Sequence, residues 1–285
     1  MSVITALTAQ NTKGVSGIFE VTPAFVAQQL DSIFEDMGAD VVKIGMLANA
    51  DVIEAVAARL LHHNVHNIPI VLDPVMVAKG GACLLPAAAL RALQTKLVPL
   101  CSIITPNLEE AQLLLQFCSS SAGDTNEPRS QRQPLQPIST VHEMRQTAKR
   151  LYEALHGGPR YVLVKGGHLA LLRHVEESLH GGEDEDDMAV VDVLYDGKED
   201  RFVELGARRY RTGNTHGTGC TLASAIAANL AVLLRKKRGE DGEEVMEEAV
   251  RAAKRYVAGA IEDSFYREAI GKGHGPLDHF YDVRQ

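Results

Sequence analysis

Short apolar and β-branched runs recur along this chain, each followed by a longer amphipathic stretch, and no other feature restricts the fold as tightly. The runs are SVITAL (2–7), DVVKIG (40–45), IPIVLD (68–73), SIITP (102–106) and YVLVKG (161–166). The stretches between them read as helices at about 22–36, 50–62, 86–97, 107–117 and 140–156, followed by 219–236 and 243–265. Thr22 before Pro23 suits a helix start, with a capping hydroxyl and proline in the first turn. Strands that are apolar throughout, alternating with helices, predict an α/β fold with a mostly parallel central sheet and helices on both faces. VVDVLYDG (190–197) and RFVEL (201–205), split by a DGKED turn, predict a hairpin.

Two segments fall outside this alternation. Residues 119–137 are polar and contain proline, and residues 176–189 carry an acidic cluster before a strand. Both read as mobile insertions within a single domain spanning 1–285. With 285 residues, 45% of them hydrophobic, the chain has ample material for a core. Its formal net charge of −8 and the lack of a dense basic patch argue against a nucleic-acid partner. The opening does not look like a signal peptide, and no apolar run looks long enough to cross a bilayer. Cys83, Cys101, Cys118 and Cys220 form no CxxC pair and no zinc-like spacing with histidine, as expected in a reducing compartment. A soluble cytosolic protein is the expectation. His62, His63 and His66, with no acidic partner nearby in sequence, read as surface residues.

The chemically suggestive residues share a position: each follows a predicted strand. Gly45 and Met46, Asp73 and Pro74, Asn107 and Glu110, and Lys165 to His168 all lie there. In an open α/β sheet, ligands sit at the carboxyl ends of the strands, so these loops should converge on one crevice. HGTGC (216–220) is a glycine turn running into a helix. Gly217 and Gly219 free the backbone to approach a ligand, and the helix start offers unpaired amides and a positive dipole end to an anion. Cys220 at that start should have a lowered pKa and could accept a proton, although a tight turn with a structural cysteine fits the same letters. Lys165, Gly166 and Gly167 suit phosphate oxygens but equally suit an ordinary strand-to-loop turn. Asn107 and Glu110 match a capping box, and Glu110 also suits Mg²⁺. Asp73 ends a buried strand and therefore needs a partner. Gln10 can match an aminopyrimidine edge or simply be exposed, and Met46 can wall a flat ring or fill a core gap.

TALTAQNT, VKIGML, VLDPVMVAKGG, ITPNLEEA, VLVKGGH, GNTHGTGCTLASAIAANL and GKGHGPLDHF together, in this order, resemble the hydroxymethylpyrimidine kinase/phosphomethylpyrimidine kinase family of thiamine synthesis. The resemblance spans nearly the whole chain and breaks only at the two insertions. It implies a ribokinase-like fold and two ATP-dependent phosphorylations, first of 4-amino-5-hydroxymethyl-2-methylpyrimidine and then of its monophosphate. Cys220 would face the substrate hydroxyl as base, and Gly217, Thr218 and Gly219 would form the anion hole. Gln10 would read the pyrimidine, with Met46 and the backbone at Val75 lining the same pocket. Lys165, Gly166 and Gly167 would lie beside the ATP phosphates, and Asp73, Asn107 and Glu110 around Mg²⁺. Dimers are common in the family, so the resemblance leaves room for a homodimer, while the sequence itself is silent on oligomeric state.

The resemblance departs at the start. Family members begin with a strand and a GSDxSGGAG-type loop, whereas here Met1 falls just before SVITALTAQNT. The first strand of the sheet is therefore expected to be missing, leaving an unpaired ladder that favours pairing between chains. Two other readings accompany the kinase: a pyridoxal kinase-like enzyme, and a non-catalytic truncated paralogue that binds a ligand or partner.

Overall fold

A computed structural model describes residues 1–63, 68–76, 85–119, 137–167, 189–236, 242–268 and 270–283. The chain opens with an antiparallel hairpin that stands apart from the main sheet. Strand β1 (Ala6–Asn11) pairs with β2 (Gly14–Glu20), and the register slips between Ala9 and Gln10. Asn11 Oδ1 accepts the Lys13 N–H at 2.9 Å and shapes the turn. This corrects the expectation for residues 2–7, whose apolar run does not enter the parallel sheet. Two β-prone runs flank NTKG, so closing a local hairpin costs far less chain entropy than a distant parallel pairing. Nearly every hairpin residue is exposed, and Leu7, Ile18 and Phe19 show large apolar side chains to solvent.

Helix α1 (Pro23–Phe34) follows, with the Thr22 hydroxyl accepting the Phe25 N–H at 3.3 Å, as the sequence led us to expect. The central sheet then builds up as β3 (Val42–Ile44), β4 (Ile70–Leu72), β5 (Ile103–Ile104), β6 (Tyr161–Val164), β7 (Ala189–Asp196) and β8 (Arg201–Arg208), ordered as in the chain. The first four strands are parallel, and β7 and β8 add the predicted antiparallel hairpin at one edge. Ile70 and Leu72 face one core while Val71 faces the other, and Ile104 and Ile103 divide in the same way. This period-two division explains why the central strands are apolar at every position: each face is buried.

The first core is covered by α1, α2 (Ala50–His62), α3 (Ala87–Ala92), α4 (Leu108–Ser119) and α5 (Val141–Ala154). The second is covered by α6 (Thr218–Lys236) and α7 (Gly242–Phe265). The helix expected over 86–97 ends early, passing at Leu93–Leu97 into one π turn. Helix α6 is 19 residues long and apolar enough to cross a membrane by length and composition, contrary to the sequence expectation. Its Leu222, Ala223, Ile226, Ala227 and Leu230 nevertheless pack against the sheet and α7, where small residues allow close approach.

His63 departs from the surface reading as well. Its Nε2 lies 2.7 Å from Asp31 Oδ1, and its ring stacks on Phe34 at 5.2 Å. That hydrogen bond, with Arg59 beside it, holds the Asp31 carboxyl below the usual carboxylate range. His66 and nearly all of the two insertions lie outside the described residues.

If α6 is a core helix, Ile226→Ala should destabilise the folded chain by about 2–5 kcal/mol in denaturant unfolding. A loss well below 1 kcal/mol would show that its apolar face is not packed as described.

Candidate active site

The site grows out of the sheet ladder itself, because backbone pairing continues past each strand. Asp73 N–H donates to the Ile44 carbonyl at 2.9 Å, Thr105 N–H to Leu72 at 2.9 Å, and Lys165 N–H to Pro106 at 2.9 Å. Residues from neighbouring strands are thereby stepped along one edge of the sheet. Lys165 reaches back across this edge and donates from Nζ to Asp73 Oδ1 at 2.8 Å, with 13% and 2% of their side chains exposed. Thr105 Oγ1 adds a second donor to the same oxygen at 3.3 Å. Asp73 thus has the partner its burial requires.

Helix α4 delivers the second buried carboxylate. Glu110 N–H donates to Asn107 Oδ1 at 2.9 Å, and Asn107 N–H donates to Glu110 Oε2 at 2.8 Å, which completes the predicted capping box. Burial pushes the Glu110 carboxyl up, while Lys165 and the Asn107 amide pull against it. Burial likewise works against the Lys165 charge, but Asp73 and Glu110 outweigh it and hold the ammonium above its ordinary value. Asn107 commits its side-chain oxygen to the cap.

The turn before α6 closes the edge. Gly217 adopts φ 84°, a left-handed conformation that favours glycine, and its carbonyl accepts the Thr221 N–H at 2.8 Å. Thr218 Oγ1 donates to the Thr215 carbonyl at 3.3 Å. Gly219 lies against the ion pair: a Cβ there would stand 3.1 Å from Lys165 Nζ and 3.9 Å from Asp73 Oδ2. The first turn of α6 therefore sits over Asp73 and Lys165, with the Cys220 thiol within the field of the Asp73 carboxylate.

The expected lowering of the Cys220 pKa is overturned. The thiol reaches solvent, yet surrounding protein strips enough water from it, and Asp73 adds enough negative charge, to push it above its ordinary value. Lys43 and Lys165 act in the opposite sense without prevailing. The helix-start argument left out the carboxylate below.

Gly166 and Gly167 follow Lys165 into the crevice loop. Gly166 N–H donates to Asp192 Oδ1 at 2.9 Å, and Lys254 Nζ donates to Asp192 Oδ2 at 2.6 Å. A side chain at Gly166 would strike the Val191 carbonyl and crowd Met144, whereas Gly167 has open space. Asp192 and Thr105 are positioning residues that sequence reasoning missed. The signal for Asp192 was an acid in the middle of an apolar run, between Val191 and Val193.

Gln10 lies within β1, not after it, because the hairpin extends through Asn11. Its Nε2 approaches His216 Nε2 at 3.4 Å, so the hairpin touches the loop that leads into α6. The GKGHG segment secures this contact. Lys272 and His274 N–H donate to Thr12, and the Gly275 carbonyl accepts the His216 N–H at 2.9 Å. Met46 follows β3 and accepts from Thr5 Oγ1 through its carbonyl at 2.8 Å. Val75 follows β4, with its N–H donated to the Asp73 carbonyl at 2.9 Å. Asp73, Glu110, Lys165, Gly219 and Cys220 come together, while Gln10, Met46 and Val75 border that group from the hairpin and the strand ends. His168 lies outside the described residues.

The described residues contain no cluster of three His, Cys, Asp or Glu side chains able to hold a metal. Asp73 and Glu110 supply two carboxylates, a set that suits Mg²⁺ retaining waters and phosphate oxygens but not a protein cage. Burial and the Asp73 charge together raise Cys220, and Asp73→Asn removes the second of these and leaves the Lys165 ammonium opposed by Glu110 alone. The pH of half-maximal Cys220 alkylation, read by peptide mass spectrometry, should then fall by about one unit or more. An unchanged or higher midpoint would refute the electrostatic account.

A family model described as phosphomethylpyrimidine kinase matches residues 1–278. The chain is 43% identical to the thiamine biosynthesis bifunctional protein ThiED of Geobacter sulfurreducens over 99% of its own length and 47% of that protein. It thus spans about half the length of that relative. It is 40% identical to the hydroxymethylpyrimidine/phosphomethylpyrimidine kinase of Salmonella typhimurium, covering 98% of this chain and 86% of that one. Among solved structures, phosphomethylpyrimidine kinase from Clostridium difficile superposes with TM-score 0.61 at 32% identity, over 92% of this chain and 86% of that chain. An ADP complex of Bacillus subtilis pyridoxal kinase superposes with TM-score 0.72 at 28% identity, over 100% and 88%. These neighbours share the ribokinase-like α/β architecture, and with 278 of its 285 residues under one family model the chain belongs to the phosphomethylpyrimidine kinase family.

Proposed function

We propose that this chain transfers the terminal phosphoryl group of ATP to the hydroxymethyl group of 4-amino-5-hydroxymethyl-2-methylpyrimidine, and then phosphorylates the monophosphate to the diphosphate. The observation that carries this reading is the packing of the α6 start, with Gly219 and Cys220, onto the buried Asp73–Lys165 pair. Phosphoryl transfer asks chiefly for positioning and for neutralised charge, and this arrangement offers both. Lys165 supplies a fixed ammonium for the ATP phosphates, and the Gly166–Gly167 backbone, held by Asp192, lies next to it. The amides from Gly217 to Gly219 face the transferring group as an anion hole. Asp73 and Glu110 would hold Mg²⁺, which when bound neutralises charge on the phosphate oxygens.

Cys220 stands beside the acceptor hydroxyl. Burial and Asp73 raise its pKa, so its thiolate form is the stronger base, and as the thiolate it takes the hydroxyl proton and becomes the thiol. The hydroxyl oxygen bonds to the γ-phosphorus, the bond from that phosphorus to the bridging oxygen breaks, and ADP leaves with the electron pair. Gln10, Met46 and Val75 border the place where the pyrimidine ring would lie.

The test is ADP release with Mg·ATP in the presence and absence of the pyrimidine. The pyrimidine should accelerate release, and no acceleration from folded protein would end the proposal. Cys220→Ala should lower kcat on the pyrimidine alcohol by about 10²–10⁴, the usual worth of a positioned acid–base group, and near-normal rates would remove the thiol from the mechanism. Lys165→Ala should raise the KM for ATP more than that for the pyrimidine. The superposition on pyridoxal kinase favours a second reading, in which pyridoxal is the better acceptor. Comparing kcat/KM for the two alcohols decides between them.

A further inference from the structure

Lys43 is a crevice cation that the transfer to an alcohol leaves without a task. It is the middle residue of β3, the strand at the edge of the sheet, and it lies in register with Val71. Val71 belongs to the core under α6 and α7, and α6 packs on both β3 and β4. Lys43 therefore projects from the apolar face toward the start of α6, an unusual place for a charge. Its side chain does not run out to open solvent but folds back along its own strand, so that Nζ occupies the space a Cβ at Gly45 would need. Gly45 lies at the carboxyl end of β3, on the same edge as Asp73 and Lys165.

The other buried crevice cations are spoken for. Lys165 is held by Asp73 and Lys254 by Asp192. The Lys43 ammonium makes no hydrogen bond or ion pair among the described residues. Its charge nevertheless reaches the Cys220 thiol, where it counts for more than that of Lys165. A half-buried ammonium without a counter-ion, beside the residue that faces the acceptor, is suited to pairing with an anion.

We infer that Lys43 binds the phosphate of the pyrimidine monophosphate when that ester is the acceptor, and so sets the specificity of the second transfer. This rests on the reading given under Proposed function. The alcohol is neutral, whereas a phosphomonoester carries about −1.5 to −2 charges near neutral pH. Placing it against the ATP phosphates needs a cation beyond Lys165 and the Mg²⁺ that serves the ATP phosphates. The second transfer also differs in its proton balance. An ionised ester oxygen bonds to the γ-phosphorus, the bond from that phosphorus to the bridging oxygen breaks, and ADP departs with the electrons. No proton has to be removed, so Cys220 serves the alcohol and Lys43 serves the ester at the same point in the crevice.

The experiment compares the unaltered chain with Lys43→Met and Lys43→Arg, first checking each fold by circular dichroism and thermal melting. Turnover of the alcohol and of the monophosphate is measured by ADP release with Mg·ATP. Binding of each acceptor without nucleotide is measured by calorimetry. Loss of a charge-assisted contact should lower the ratio of kcat/KM for monophosphate to that for alcohol by at least about tenfold in Lys43→Met, and Lys43→Arg should restore most of it. Calorimetry should show the monophosphate losing affinity by a similar factor while the alcohol does not. An unchanged ratio and unchanged monophosphate affinity would overturn the inference. So would a larger loss on the alcohol, which would make Lys43 a partner of Cys220 alone. If the unaltered chain turns over neither acceptor, the functional reading fails, and the calorimetric comparison still decides whether Lys43 selects the phosphate.

Discussion

The Asp73–Lys165 ion pair is the interaction on which the crevice depends. Both groups are almost wholly removed from water, so each needs the other: a buried charge left alone costs far more than an exposed pair ever gains. The sheet makes the pairing obligatory. Asp73 follows β4, Lys165 follows β6, and β5 between them contributes Thr105, so the pair spans a strand and draws three chain segments to one point. Gly219 can rest on it because it lacks a Cβ, and the positive end of the α6 dipole lies over the Asp73 carboxylate.

Two further carboxylates, Asp192 and Glu110, hold the segments around this pair in place. Asp192 receives the Gly166 amide and the Lys254 ammonium, which joins β7 and α7 to the loop after β6. Glu110 both caps its helix and brings a carboxylate within the field of Lys165. These residues sit on strands and at helix starts, so the site inherits the rigidity of the sheet.

Much of this was legible in the amino-acid order. Strands buried on both faces are apolar at every position, and β4, β5 and β6 announced themselves in that way. The capping box at Asn107–Glu110 and the Thr22 cap are local rules that depend on few residues, and both formed. What escaped was long-range. The hairpin Ala6–Glu20 has almost no buried face, so the apolar run at its start did not distinguish it from a strand of the core sheet. The pKa of Cys220 turned on burial and on Asp73, which lies far away in the chain and is brought beneath α6 only by the sheet. Lys43 interrupts an apolar strand, an anomaly visible in the letters whose meaning depends on where α6 begins.

The exposed hairpin has a mechanical consequence. With scarcely any apolar surface buried, it is tethered chiefly by Thr12 to the Gly271–Gly275 segment, by Gln10 to His216, by Thr5 to Met46 and by Glu20 to Asn49. A handful of hydrogen bonds to water-accessible partners is a weak hold, and such elements open at a small fraction of the global unfolding free energy. The amides of β2 and those of β6 therefore belong to different cooperative units. The arm can lift and settle many times in the life of a sheet that never parts.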